Sequence, residues 1–392
     1  MNPWSLVLAG YHDLRQPPAG NRPCLDVLRT LAIALVISTH IGFYCTQALR
    51  ARQTPMVLFG WSGVDLFFVL SGLLIGGQLW KELKASETID VKRFVLRRGF
   101  RIWPLYYAVI AYLAVQHIVW RVARPGLWID TIFLCNYMPT RHQVDGAWSL
   151  STEEQFYLLI PILLLLGAKR FSPRSLVAVS LGWFAALPII RYLVLLHYPQ
   201  GASTNFNATM EAIYFPFHTH SDGLAIGLLI SWIMTWKLEW LQKGRWLDVV
   251  LVAVFVGGCW LWYSVPLTFL FSLVAITFGA LTIVFLRIPE RLILFARPFY
   301  VTSRLSYGVY LIHAGLLTRA MPHLTRLFGT GFRSFVYSYV FCSTVSFALA
   351  FVSFSFIELP FLKLRARYLA RKRVAAPKPS EALEALPASN PS

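Results

Sequence analysis

Arg29 and His40 lie eleven residues apart in LDVLRTLAIALVISTHIGFYC, a run over 25–45 otherwise apolar enough to cross a bilayer. At about 100° per residue the two share a helix face, about 16 Å apart along the axis, with Asp26 about 40° off the same line. A neutral imidazole readily takes a proton from a hydroxyl near neutral pH. Guanidinium forks hold phosphates in bidentate fashion. Other apolar runs carry further groups of this kind. In GVDLFFVLSG, 63–72, Asp65 could orient a histidine or pair with an arginine. Arg98 and Arg101, three apart in RRGFRIWPLYY, project in neighbouring directions. Ser149 and Glu153 in AWSLSTEEQFYLLIP are four apart and share a face. His220 and Asp222 open the run HTHSDGLAIG, while RLSYGVYLIH carries Arg304, Ser306, Tyr307 and His313. Glu358 in FIELPF precedes Pro360, where the plain reading is a helix stop.

An ionisable side chain within a span costs about 2.5–3.5 kcal/mol on insertion scales, so each of these requires a reason. Bland reasons exist: a satisfied core histidine, a snorkelling arginine, a positive-inside anchor, a carboxylate at a helix N-terminus. For Arg29 and His40, sharing one face tells against coincidence.

The elements that must position these groups are membrane helices. Of 392 residues, 57% are hydrophobic and 14% charged, with mean hydropathy +0.57. A soluble chain would carry about 25% charged residues. Ten runs suit about 30 Å of hydrocarbon: 26–46, 57–80, 100–120, 148–168, 175–197, 211–236, 246–263, 266–288, 300–318 and 334–358. The shorter piece LWIDTIFLCNYM, 127–138, cannot span and reads as re-entrant or interfacial. The fold expected is an all-α, polytopic bundle of about ten spans. With both termini in the cytoplasm, Lys and Arg divide 24 inside to 8 outside, with four inside spans, which satisfies the positive-inside rule. That arrangement also absorbs most of the formal charge of +18, so headgroups are the expected partner and nucleic acid is not.

Residues 1–24 read as a cytoplasmic segment without a cleaved signal, 25–362 as the membrane domain, and 363–392 as a basic, then Ala/Pro-rich, disordered tail. Cys24, Cys45, Cys135, Cys259 and Cys342 are scattered and read as packing residues, with no metal site expected.

In this order the motifs resemble the acyltransferase 3 family of integral membrane acyltransferases. Arg29 and His40, GVDLFFVLSG, the R-x-x-R of Arg98 and Arg101, and the S-x-x-x-E of Ser149 and Glu153 carry the likeness. SYGVYLIH and IELP add to it, so that it covers roughly residues 22–362. The resemblance implies O-acyl transfer, commonly of acetyl, from cytoplasmic acyl-CoA to a hydroxyl, usually of a glycan or glycolipid, in the bacterial inner membrane. It implies His40 as the catalytic histidine and Arg29, Arg98 and Arg101 as acyl-CoA contacts, with Ser149 and Glu153 functionally required. Acyl-CoA is a substrate, and no permanently bound cofactor is implied. Two departures stand out. The family often has an arginine shortly before the sixth-span aspartate, where this chain has His220. Some members also append a soluble SGNH-hydrolase-like domain, for which 392 residues leave no room, so the acceptor is expected to meet the membrane domain or a separate partner.

The mechanism expected is acyl-CoA entering from the cytoplasm, its phosphates on Arg98 and Arg101, its thioester running past Arg29 to His40. Asp65 or Glu153 would orient the imidazole. Ser149, Asp222, His313, Tyr307 and Glu358 are candidates for acceptor contacts or support. Direct attack and an acyl-histidine intermediate stay open. The rival from another class is a secondary transporter with a buried proton relay, against which stands the absence of repeat-related interrupted helices.

Overall fold

The computed structural model describes residues 2–17, 20–49, 59–197, 206–242, 244–289 and 298–374. Among these no strand occurs, and twelve principal helices account for the fold. They are α1 (Pro3–Arg15), α2 (Pro23–Leu49), α3 (Gly63–Ser86), α4 (Val91–Trp120), α5 (Ala147–Ala168) and α6 (Val177–His197). The second half supplies α7 (Asp222–Trp236), α8 (Trp246–Leu261), α9 (Leu267–Arg287), α10 (Phe299–Phe328), α11 (Phe332–Ser353) and α12 (Leu359–Val374). Helices α2 to α11 occupy the ten apolar runs in order. Seven helical segments are long and apolar enough to cross a membrane, α7 and α8 are apolar but shorter, and α10 is 30 residues long but more polar.

Local chemistry sets many of the ends. The Asn2 side chain accepts from the Trp4 amide and opens α1, and Asp90 accepts from the Arg93 amide at 2.9 Å to open α4. Gly146, with φ +75°, supplies the left-handed residue from which α5 starts.

Helix α2 is central, packed against α3, α10 and α11. Helices α3 and α7 approach most closely through small residues. A Cβ on Gly72 would overlap the Leu224 carbonyl, and one on Gly227 would overlap that of Val69. Close approach of this kind supplies the dispersion contacts that hold membrane helices together.

Two expectations are modified, and a third is filled in. The run 211–236 is not one helix: a π-helical turn over Met210–Tyr214 and a bend through Pro216 precede α7. The bend lets 215–221 cross the top of α3. Pro360 does not stop the last span, because a π turn over Phe354–Glu358 absorbs the irregularity and α12 continues to Val374. The piece 127–138 folds as two short turns packed on α4 and α5, with Phe133 stacked on Tyr106 and Cys135 and Asn136 buried. Positions 57–58 of the second expected span and the Ala/Pro-rich end, 375–392, lie outside the described residues.

The N-terminal segment is itself helical and docks at one end of the bundle. Gly10 sits against Ser355 of the π turn, and Asp13 pairs with Arg304 at 3.3 Å. The start of the chain, the start of α10 and the end of α11 therefore meet at one end, as an even number of spans requires.

Candidate active site

Five helices enclose a cavity of about 140 Å³ toward that same end of the bundle. Arg29 comes from α2, Ser71 from α3, Arg98 and Arg101 from α4, Ser149, Glu153 and Tyr157 from α5, and Tyr307 and Tyr310 from α10. The spacing read from the sequence explains the grouping. R-x-x-R and S-x-x-x-E each set two side chains on one face, and both faces turn inward. Glu153 accepts from the Ser71 hydroxyl at 2.7 Å and from the Tyr157 hydroxyl at 2.8 Å. Tyr307 donates to the Ile102 carbonyl at 2.7 Å. Arg98 lies over the rings of Phe94 and Tyr157. Among the described residues no carboxylate comes within 4.0 Å of Arg29, Arg98 or Arg101, and none of the three donates a hydrogen bond to protein. Three guanidinium groups without a direct ion pair thus gather around one cavity, an arrangement whose chemistry favours an anion there.

His40 lies in a second, larger cavity of about 630 Å³. The wall there is largely aromatic, with Trp61, Trp148, Tyr214 and Trp262 prominent, while Thr39, Thr140 and Glu211 supply polar atoms. The hydrogen bonds around His40 assign its tautomer. His313, fully buried, has Nδ1 2.8 Å from the Tyr310 carbonyl, and a carbonyl can only accept. The proton of neutral His313 therefore sits on Nδ1, and its Nε2 accepts. That Nε2 is 3.3 Å from Nδ1 of His40, which is also 2.9 Å from the Val36 carbonyl. Both contacts require a proton on His40 Nδ1, leaving the lone pair of Nε2 as the basic position.

Other sequence candidates are placed elsewhere. Asp65 does not orient His40: it accepts from Nε2 of His220 at 2.8 Å, both residues fully buried, and His220 Nδ1 donates to the Tyr214 carbonyl at 2.6 Å. This pair ties the 215–221 crossing to α3. Glu153 does not reach His40 either, being held by Ser71 and Tyr157 in the arginine cavity. Asp222 faces neither cavity. Arg191 grips it at 2.8 and 3.1 Å, and Ser272 donates to it at 2.5 Å. Glu358 is buried in the π turn, and neither of its carboxylate oxygens has a hydrogen-bond partner among the described residues.

Sequence reasoning missed Tyr310, Tyr157 and Ser71, whose hydroxyls carry no charge and so raise no alarm in an apolar run. Arg191 is one of the four basic residues counted inside spans, and it was given no work there. The signal was present, since an arginine in the middle of an apolar run requires a partner.

A helical bundle of this kind, with apolar spans around an arginine-lined cavity and a neighbouring imidazole cavity, defines a multi-pass integral membrane protein with polar chambers between its helices. The chain belongs to the acyltransferase 3 family, whose model, described as an acyltransferase domain, matches residues 22–355. Among curated relatives, the O-acetyltransferase OatA of Staphylococcus aureus (strain NCTC 8325 / PS 47) is 26% identical over 378 residues, covering 87% of this chain and 57% of the relative. The peptidoglycan O-acetyltransferase OatA of Listeria monocytogenes is 24% identical over 373 residues, covering 87% and 56%. The putative peptidoglycan O-acetyltransferase YrhL of Bacillus subtilis is 26% identical over 244 residues, covering 57% and 34%. The chain thus spans little more than half the length of the first two relatives. No solved structure matches it.

Proposed function

We propose that this protein moves an acyl group, acetyl in the first instance, from cytoplasmic acyl-CoA to a hydroxyl of a glycan or glycolipid in the bacterial inner membrane. His40 acts as general base. The single observation that supports this reading most is the pairing of an imidazole cavity with a cavity lined by three arginines that make no direct ion pair among the described residues. Phosphate oxygens of the donor suit Arg29, Arg98 and Arg101, because charge-assisted forks are stronger than neutral hydrogen bonds. The mixed wall around His40 suits a saccharide, whose C–H faces stack on Trp and Tyr rings while its hydroxyls reach Thr39, Thr140 and Glu211. The relatives' names, O-acetyltransferases with peptidoglycan as the stated acceptor of some, agree with this class.

In the reaction, His40 Nε2 takes the acceptor's hydroxyl proton as the oxygen attacks the thioester carbonyl. The C–S bond breaks, and the imidazolium returns the proton to the departing thiolate. Holding donor and acceptor in line contributes as much as the base itself. Glu153, fixed by two hydroxyls, sets the field around the arginines and takes no proton from the acceptor.

The test is thiol release from acetyl-CoA by the protein in nanodiscs, with and without a muropeptide preparation. Acceptor-dependent release supports transfer. Absence of release, with pH-driven flux of the same glycan, favours transport. Acyl label retained on the protein without acceptor, and lost with His40→Ala, would place a covalent acyl-histidine between the two half-reactions.

Two outcomes follow for side chains of the site. Arg98→Gln and Arg101→Gln should each raise the donor KM by about 10–100-fold, the loss of one or two charge-assisted hydrogen bonds. Their kcat should change far less, and a kcat effect without a KM effect would remove them from donor binding. His313→Leu takes away one of the two acceptors of His40 Nδ1–H, leaving the Val36 carbonyl, and should lower kcat about tenfold. His313→Gln offers a side-chain oxygen to that proton and should recover part of the loss. Equal damage by both variants would reduce His313 to packing.

A further inference from the structure

The arginine cavity and the His40 cavity touch, and among the described residues Val64 and Tyr310 alone line both. The two halves of this wall are held differently. Val64 follows Gly63, where a Cβ would come within 2.6 Å of the Ala32 carbonyl, so the start of α3 is clamped against α2 backbone. Tyr310 instead reaches across from α10 and is fastened at its tip. Its hydroxyl donates to the Gly146 carbonyl at 3.0 Å and shares a short hydrogen bond with Ser149. Gly146 lines the His40 side and Ser149 the arginine side, so the fastening spans the boundary. Rotation about its χ angles would free the ring without moving a helix, whereas Val64 has no such freedom.

We propose that Tyr310, fastened by Ser149 and Gly146, is the partition that shields the acyl thioester from water on the His40 side until an acceptor is seated, and so decides transfer against hydrolysis. The inference rests on the acyltransferase reading above. Its chemistry follows from the base. An imidazole able to activate a sugar hydroxyl activates water by the same step: the water oxygen bonds to the carbonyl carbon and the C–S bond breaks. Free acid and CoA thiol leave, the proton passing from water through His40 Nε2 to the thiolate. The 630 Å³ cavity beside His40 has room for water, while the donor cavity is narrow. A removable wall between them lets one base serve an alcohol and still spare the donor. Ser149 takes on a role here that its one-turn separation from Glu153 did not reveal: it holds the latch.

The experiment is release of acetate from acetyl-CoA by nanodisc-reconstituted protein without any acceptor, alongside equilibrium binding of radiolabelled acetyl-CoA. Tyr310→Ala removes the wall and should raise acceptor-free hydrolysis about tenfold over the unmodified protein. Tyr310→Phe keeps the ring and loses the latch, and should give a smaller increase. Adding His40→Ala to Tyr310→Ala should return hydrolysis to background. Val64→Ala thins the fixed half of the wall and serves as the second probe, with the same direction of change. Hydrolysis that stays level or falls in Tyr310→Ala and Val64→Ala, while both still bind acetyl-CoA, overturns the partition and leaves the acyltransferase reading standing. No acetyl-CoA binding by the unmodified protein would overturn the reading and the partition together.

Discussion

Replacement of His40 by alanine should lower acyl transfer by about 10²–10⁴-fold, the range that a positioned general base supplies. The binding constant for acetyl-CoA should stay where it was. The separation of the two cavities makes this split expected. The guanidinium groups that would hold the donor line one chamber, and the imidazole lines the next, so deletion of the ring leaves the anion site intact. The loss should therefore appear in kcat and not in donor KM. Rate should also fall in acid, because protonation of Nε2 removes the lone pair that the reaction needs. His40→Gln keeps a hydrogen-bonding side chain but no base of comparable strength, and should fall nearly as far as alanine. An alanine variant that transfers acetyl at even a third of the normal rate would end the assignment of His40 as base.

Arg191→Ala should be the most damaging substitution for folding, at about 3–5 kcal/mol. All five N–H groups of this fully buried guanidinium are engaged. Nε donates to the Thr268 carbonyl and Nη1 to the Thr219 carbonyl, each at 2.7 Å. Nη1 and Nη2 take the two oxygens of Asp222, and Nη2 also donates to Ser272. One side chain of α6 thus joins the start of α7, the turn before it and the start of α9. Truncation leaves the Asp222 carboxylate buried and uncompensated, which costs more than the pair contributes when intact. The double variant Arg191→Met/Asp222→Leu should accordingly be more stable than Arg191→Ala alone, since no orphan charge remains. Thermal unfolding of detergent-solubilised protein reads both. A Tm for Arg191→Ala within a degree or two of the unmodified protein would show that the network carries no stability.

How far the site was legible can be followed residue by residue. Arg29, Arg98, Arg101, Ser149 and Glu153 were singled out by helical spacing in apolar runs, and the fold brings all five to one cavity. Their inward direction was readable because an exposed charge in hydrocarbon is too costly to leave there. The partner of each was not. Asp65 stood near the outer end of its helix, a reasonable neighbour for His40, yet it lies against His220 from a segment 155 residues away. Which of several polar groups at one depth a carboxylate meets depends on the rotation of each helix about its own axis, and side-chain packing between helices sets that rotation. The same ambiguity hid the role of His313, named as a candidate for acceptor contacts or support, whose hydrogen bond to His40 no spacing within its own helix reveals. The break before α7 was signalled by Pro216 and the polar run HTHSD, and was read through because the flanking residues are apolar.

By itself the sequence determined that the chain is a polytopic helical membrane protein, where its principal spans run, and which charged residues must face inward. Those properties follow from composition and from a 3.6-residue period, both fixed within a single segment. Tertiary structure alone decided that the polar groups divide between two chambers, that a tyrosine stands between them, and which carboxylates lock the bundle instead of serving the site. Such outcomes arise from contacts between helices distant in the chain, where a rotation of some tens of degrees exchanges one partner for another without altering the hydropathy of either helix.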